Sequence, residues 1–183
     1  MEQVQEVSKI INLVKKAQLG DDQAYLCLFQ KFEEDIYRTA YVYLKNQEDA
    51  LDVVQETAYR SFKSIHQLKE PRYFKTWLIK IAISCSIDVL RKRKKVIQLN
   101  PEFDEFLTKG ENQDISLSLS LKDLIYSLDE DEKGVIILRY YHDYTIKEIA
   151  KILGIPLGTG KTILYRALKK LRILLEAGDM NEQ

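Results

Sequence analysis

Tyr144-Thr145-Ile146-Lys147-Glu148-Ile149-Ala150-Lys151-Ile152-Leu153-Gly154-Ile155-Pro156, running on from Leu157 to Arg172, is the stretch that decides how this chain is read. Ile146, Ile149, Ala150 and Leu153 fall at i, i+3, i+4 and i+7, one apolar face of a short helix. Thr145 is placed to cap that helix, with Glu148 as its reciprocal partner. Gly154 suits a left-handed exit, and Pro156 resists continuation. A second helix follows. It is expected to carry Leu164, Leu168, Leu171 and Leu175 inward and to present Lys161, Thr162, Tyr165, Arg166, Lys169 and Arg172 outward. Two helices joined by a tight Gly turn, the second one basic, describe a helix-turn-helix. Its second helix can lie in the major groove, where Arg, Lys and Thr reach base edges and phosphates. The plainer alternative is a helical hairpin with a solvated basic face.

Gly158-Thr159-Gly160-Lys161-Thr162 is close to a phosphate-binding loop but fails its spacing. The position that needs the first Gly holds Ile155, and no strand pattern precedes it. Nucleotide binding is therefore not expected.

Working outward, 183 residues suit one domain or two small ones, and 45% hydrophobic content is ordinary for a folded protein. Lys+Arg of 28 balance Asp+Glu of 28, so the chain is no uniform polycation. The charges are segregated instead. Lys69 to Lys95 is rich in Lys and Arg with only Glu70 and Asp88 as acids, and Lys161 to Arg172 has no acid. Glu102, Asp104, Glu105, Glu111 and Asp114 lie between them. Cys27 and Cys85 have no metal-ligand partner at a useful spacing and are expected as buried thiols of a reducing cytoplasm. No apolar run approaches membrane-spanning length, and Met1 to Glu6 lacks the shape of a signal peptide.

The N-terminal half predicts four helices. Residues 6–18 carry Val7, Ile10, Ile11, Val14 and Ala17; residues 22–45 follow a Gly20-Asp21-Asp22 break, with their aromatics at core spacing. Residues 48–66 turn Ala50, Leu51, Val54, Ala58, Phe62 and Ile65 inward and set Asp49, Asp52 and Glu56 on another side. That acidic face is either solvated or a docking surface for a basic partner; no His accompanies it to make a metal or acid–base site. After a loop at 66–73, with Pro71 suited to a helix start, residues 72–93 bury Phe74, Trp77, Leu78, Ile81, Ala82, Cys85 and Val89. Trp77 is the aromatic expected in the core. Arg91-Lys92-Arg93-Lys94-Lys95 exceeds what helix capping needs and points to phosphate. Tyr73 and its neighbours beside Lys69, Arg72 and Lys75 resemble a surface for unpaired bases. Residues 96–115 lose periodicity and read as an acidic flexible linker. Residues 116–127 and 131–142 add two helices, bringing Leu117, Leu121, Leu124, Ile125, Leu128, Val135, Ile136, Leu138 and Tyr141 to a second core, with Asp129 to Glu132 at a helix start and a structural His142. The expected fold is all-α. A four-helix N-terminal domain at 6–95 is joined by the linker at 96–115 to a helix-turn-helix domain at 116–176.

With those motifs in place the chain resembles a bacterial RNA polymerase sigma factor of the extracytoplasmic-function subfamily, over roughly residues 10–175. Asn46 to Thr57 is similar to the family's segment that docks on the polymerase clamp helices. Phe74 to Ala82 and Asp88 to Arg93 are similar to its promoter-melting segment, and Thr145 to Ala150 with Gly158-Thr159 and Lys161-Thr162 to its upstream-element reader. The chain departs from the family hexad Gly-Thr-Val-Lys-Ser-Arg at Gly160 and Ile163. A helix-interior Gly costs up to about 1 kcal/mol against Ala, and loss of the Arg is expected to remove a phosphate or base contact.

The resemblance implies a non-enzymatic specificity subunit in the cytoplasm that directs promoter-specific initiation, in a stress or envelope response. It implies core RNA polymerase, promoter DNA and a membrane-anchored anti-sigma factor as partners, with no cofactor, metal, catalytic residue or small-molecule substrate. Asp49, Asp52, Gln55 and Glu56 would bind polymerase. Lys69, Arg72, Tyr73, Lys75, Lys80, Arg91 and Arg93 would hold the melted minus-ten strand, with an unpaired base captured near Leu68 to Tyr73. Thr159, Lys161, Thr162, Tyr165, Arg166 and Lys169 would read the minus-thirty-five duplex. The rival readings are a stand-alone helix-turn-helix regulator, which leaves the 48–56 and 69–95 surfaces unused, an RNA-binding or anti-termination module, and an enzyme, for which no nucleophile–base set exists.

Overall fold

The computed structural model describes the backbone of residues 2–99 and 121–179 and the side chains of residues 5–93 and 124–176. All regular structure among the described residues is helical. The chain divides into two compact units, Met1–Ser86 and Ile87–Gln183.

The first unit holds α1 (Glu2–Gln18), α2 (Asp22–Leu44), α3 (Gln47–Ser64), one-turn 3-10 helices at Ile65–Gln67 and Pro71–Tyr73, and the start of α4 (Phe74–Leu99). Local chemistry sets its corners. Asp21 caps α2 by accepting the Ala24 N–H at 2.9 Å, and Asn46 caps α3 by accepting the Asp49 N–H at 2.9 Å. Between them Lys45 turns left-handed at φ 57° and donates its N–H to Tyr41 O. Val14, Leu28, Ile36, Tyr43, Val53, Phe74, Leu78 and Ile79 fill the core. Each such side chain taken out of water stabilises the unit by about 1.5–3 kcal/mol.

Several inward assignments need correction. Val7 on α1 is exposed, as are Leu51 and Phe62 on α3. The α3 core face is Ala50, Val53, Val54, Thr57 and Ser61. Hydrophobicity misplaces this helix because polar residues face inward: Ser61 Oγ donates to Thr57 O at 2.6 Å, so its hydroxyl is satisfied within the helix. It also meets the Tyr25 hydroxyl at 2.8 Å. Phe74, not Trp77, is the fully buried aromatic of α4, seated 5.9 Å from the Phe32 ring while Trp77 is half-buried. Cys85 is buried as expected, but Cys27 is exposed on α2.

The second unit holds α5 (Leu121–Tyr126), α6 (Glu130–Ile136) running on as a π-helical turn (Ile137–Tyr141), α7 (Ile146–Leu153) and α8 (Leu157–Asp179). Leu124, Leu128, Ile136, Ala167 and Leu171 form one core cluster, with Ile125, Leu164 and Leu174 packed against it. Tyr141, expected inward, is exposed; it lies in the π turn, whose i→i+5 bonds make a wider turn and set the side chains behind the phase of an α-helix. The expected linker begins, at residues 96–99, as the end of α4; residues 100–115 lie outside the described residues, as do Leu117 and the side chains of Lys94, Lys95 and Leu121. No helix among the described residues is long and apolar enough to cross a membrane.

Candidate nucleic-acid interface

The helix-turn-helix is built by short-range bonds. Thr145 N–H donates to Glu148 Oε2 at 2.8 Å, the Thr145 hydroxyl donates to the same oxygen at 2.7 Å, and Glu148 N–H reaches back to that hydroxyl. The Thr145 hydroxyl and amide hold the Glu148 carboxyl below its usual pKa. Gly154 closes α7 at φ 70°, ψ 31°, and its N–H and that of Ile155 both reach Ala150 O. Gly158 to Thr162, the phosphate-loop lookalike, lies within α8 and is helical.

The α8 stripe is turned from its expected setting. Gly160, Ile163, Ala167 and Leu171 are buried, while Leu168 and Leu175 are exposed. The two departures from the family hexad take their explanation from this. A Cβ at Gly160 would lie 3.6 Å from both Ala150 Cβ and Ile146 Cδ1, so the small residue sits where α7 crosses α8. Ile163 is buried in the core, so the side chain at this position faces inward rather than outward, contrary to the expected loss of a phosphate or base contact.

The outward face keeps its predicted residues. Thr159, Lys161, Thr162, Tyr165, Arg166, Lys169 and Arg172 are all exposed. Lys161 and Lys169 make no ion pair among the described residues. Thr162 Oγ1 donates to Gly158 O at 3.0 Å, and Arg172 pairs with Glu176 at 2.7 Å. Arg166 is half committed: its Nε binds Oε1 of Glu132, a side chain with 0% exposure. Lys170 donates to Glu132 Oε2 at 2.8 Å and to Asp129 at 2.9 Å, and Asp129 N–H donates to Glu132 Oε2 at 3.1 Å. Burial alone would raise the Glu132 pKa, but Lys170, the Asp129 amide and Arg166 outweigh it and hold it low. Sequence reasoning took Glu132 only as a helix-start acid, since its partners come from a helix far downstream.

In the first unit, Lys69, Glu70, Arg72 and Tyr73 are exposed at the bend that leads into α4, and Leu68 beneath them is buried. The Arg72 guanidinium lies 4.9 Å from the Tyr73 ring centroid and 3.4 Å from Glu70. Lys75 is paired with Asp35 of α2 at 2.7 Å, an engagement the sequence did not reveal. Lys80 is exposed further along α4. Arg91 is exposed and Arg93 half-buried, both beyond Ser86 and so in the second unit.

On α3, Asp52 and Gln55 are exposed, Asp49 is half-buried, and Glu56 pairs with Arg60 at 2.6 Å. Exposed Leu51, Tyr59 and Phe62 share this side of the helix. Sequence reasoning had turned Leu51 and Phe62 inward, so it missed that the acidic row has an apolar border.

The chain matches the Sigma-70 region 2 family over residues 28–96 and the Sigma-70, region 4 family over residues 124–172. It is 41% identical to RNA polymerase sigma factor SigV of Bacillus subtilis (strain 168) over 152 residues, covering 81% of this chain and 89% of that protein. It is 32% identical to ECF RNA polymerase sigma factor SigW of the same organism over 180 residues, covering 91% and 95%. CnrH, solved in complex with the cytosolic domain of CnrY, shares the fold with a TM-score of 0.70 at 22% identity, covering 92% of this chain and 98% of that one. The sigma factor RpoE from Bartonella quintana, solved with the anti-sigma factor NepR, gives 0.64 at 21% identity, covering 80% and 95%. With both sigma regions matched in order and these relatives covered over most of their length, the chain belongs to the extracytoplasmic-function RNA polymerase sigma factors, the subunits that make polymerase promoter-specific and leave the chemistry to it.

Proposed function

We propose that this sigma factor divides a promoter between two functional segments, 6–95 and 116–176, with the 96–115 stretch as their tether; the first segment runs past the structural boundary at Ser86 to include Arg91 and Arg93. The α3 row of Asp49, Asp52, Gln55 and Glu56 docks on core polymerase, with Leu51, Tyr59 and Phe62 as its apolar border. Lys69, Arg72, Tyr73, Lys75, Lys80, Arg91 and Arg93 hold the melted minus-ten strand. Thr159, Lys161, Thr162, Tyr165, Arg166 and Lys169 read the upstream duplex. One observation carries the upstream assignment: α8 exposes a cationic and aromatic row with no acid from Leu157 to Leu175. Such a face meets phosphate and base edges in a major groove. At the bend, an extruded base stacked on Tyr73 and phosphates on the nearby cations offset unpairing, which costs on the order of a few kcal/mol.

The work is placed in the cytoplasm, and an anti-sigma factor, membrane-anchored, is the proposed inhibitor; RpoE, solved with NepR, supplies the precedent for such a partner. Footprinting of the reconstituted holoenzyme tests the division. Lys161→Ala with Lys169→Ala should remove upstream protection. Arg72→Ala with Tyr73→Ala should remove permanganate reactivity over the minus-ten element and leave upstream protection in place. Exchange of these two phenotypes would count against the assignment.

A further inference from the structure

Gln18 ends α1, outside both matched family segments. Its side-chain amide nevertheless donates to two main-chain carbonyls across the fold: Nε2 lies 3.0 Å from Ile65 O and 2.8 Å from Leu68 O. Those carbonyls bracket the 3-10 turn Ile65–Gln67, which leads straight into the exposed bend. Ile65 and Leu68 are themselves buried, so their side chains anchor the turn from below while Gln18 holds its backbone. At the far end of the bend, Phe74 packs on Phe32 and Lys75 pairs with Asp35. The bend is thus clamped at both ends, with Lys69, Glu70, Arg72 and Tyr73 exposed between the clamps.

Ile65 O already accepts the Leu68 N–H at 3.1 Å, the bond that closes the 3-10 turn, so Gln18 adds a second donor there and supplies one to Leu68 O. A residue that accepts hydrogen bonds only, or none, could not make these two bonds, whereas the Gln amide supplies two hydrogens from a single nitrogen. We propose that Gln18 is a positioning residue for minus-ten recognition, fixing the backbone at residues 65–68 so that Arg72 and Tyr73 meet the extruded base in one geometry. This rests on the reading of the bend given under Proposed function. It adds α1 to the machinery of base selection, although α1 presents no residue to DNA in that reading.

Gln18→Met keeps the length of the side chain and removes both donors; Gln18→Lys restores donors on a side chain of similar reach. Each is reconstituted with core polymerase, and open complexes are scored by permanganate on promoters carrying each of the four bases at the extruded position. Tyr73→Ala is measured alongside. The expected result for Gln18→Met is a fall of about tenfold in discrimination among the four bases, the scale of losing two hydrogen bonds. Polymerase affinity and upstream protection should be unchanged, and Gln18→Lys should recover most of the discrimination, which a purely packing role would not produce. If Tyr73→Ala abolishes discrimination and Gln18→Met retains it, the role assigned to Gln18 is wrong and the reading of the bend stands. If Tyr73→Ala has no effect, the reading of the bend falls and the role of Gln18 with it. Equal loss of discrimination and polymerase affinity in both Gln18 variants would make Gln18 a general scaffold residue and overturn the proposal.

Discussion

Lys170 of α8 donates to Glu132 of α6 at 2.8 Å, across 38 residues of sequence, and the carboxylate it holds has no exposure to solvent. Arg166, one turn earlier on α8, takes the other oxygen. The basic helix is therefore fastened to the helix behind it by two of its own cations. A buried carboxylate is tolerated only when its oxygens are satisfied, and here each receives a charged donor. Charge that could have faced DNA is spent orienting the helix that faces DNA.

Glu132→Gln should destabilise the second unit by about 1–3 kcal/mol, at the low side of broken buried pairs because the stranded cations can rehydrate. Thermal melting of the full chain, followed by circular dichroism, measures it. An unchanged midpoint would mean the cluster contributes nothing.

The same group makes the unit acid-sensitive. Glu132 has a folded pKa below its usual value, because Lys170, the Asp129 amide and Arg166 together exceed the cost of burial. A depressed folded pKa adds stability above the unfolded glutamate value, and that stability disappears as pH falls through the folded one. Asp129 is lowered in the same direction by its hydrogen bond to Lys170. Melting midpoints from neutral pH to about pH 3 should fall more steeply in the parent chain than in Glu132→Gln. Parallel curves would contradict the assignment.

Gly160→Ala should stabilise. The new Cβ meets Ala150 and Ile146 at ordinary contact distance, 3.6 Å, with φ in the common range. Removing Gly from a helix gains about 0.5 kcal/mol near its first turns. A raised melting midpoint with unchanged upstream protection is expected; a lowered midpoint would show that α7 and α8 cannot separate even slightly.

Lys161→Ala or Lys169→Ala should weaken upstream-element binding almost equally across sequences and reduce the slope of log K against log salt by about 1. Arg166→Ala behaves differently, since it removes an exposed guanidinium proposed to face DNA and also leaves Glu132 Oε1 without its partner, Lys170 keeping Oε2. It should lower both recognition and the melting midpoint. Salt titrations with the holoenzyme, beside melts of the free subunit, separate the two.

What sequence could reveal followed the range of the interaction. Thr145, Glu148 and Gly154 act within one turn, and both the cap and the left-handed exit are where their identities put them. The outward face of α8 was legible because cations rarely bury. Its inward face was not, because leucines at 164, 168, 171 and 175 make a plausible stripe on their own. The true stripe uses Gly160 and Ala167, small residues whose value lies in letting another helix approach. On α3 the inward hydroxyls of Thr57 and Ser61 hid the phase in the same way. Glu132, Lys75 and Gln18 find their partners 34 to 50 residues away, and no local pattern announces that.

Reversing charge on the exposed part of α3 tests the docking surface. Asp52→Lys should lower affinity for core polymerase by about tenfold and leave the melting midpoint of the free chain where it was, since Asp52 is exposed. Retained affinity would move the polymerase surface elsewhere.

Run-off transcription with core polymerase, the purified chain and genomic fragments tests the central claim most directly. The account predicts a discrete start that core polymerase alone does not make, lost when Lys161 and Lys169 are both changed to Ala. A chain that binds DNA tightly as a free dimer and leaves the starts of core polymerase unaltered would contradict it.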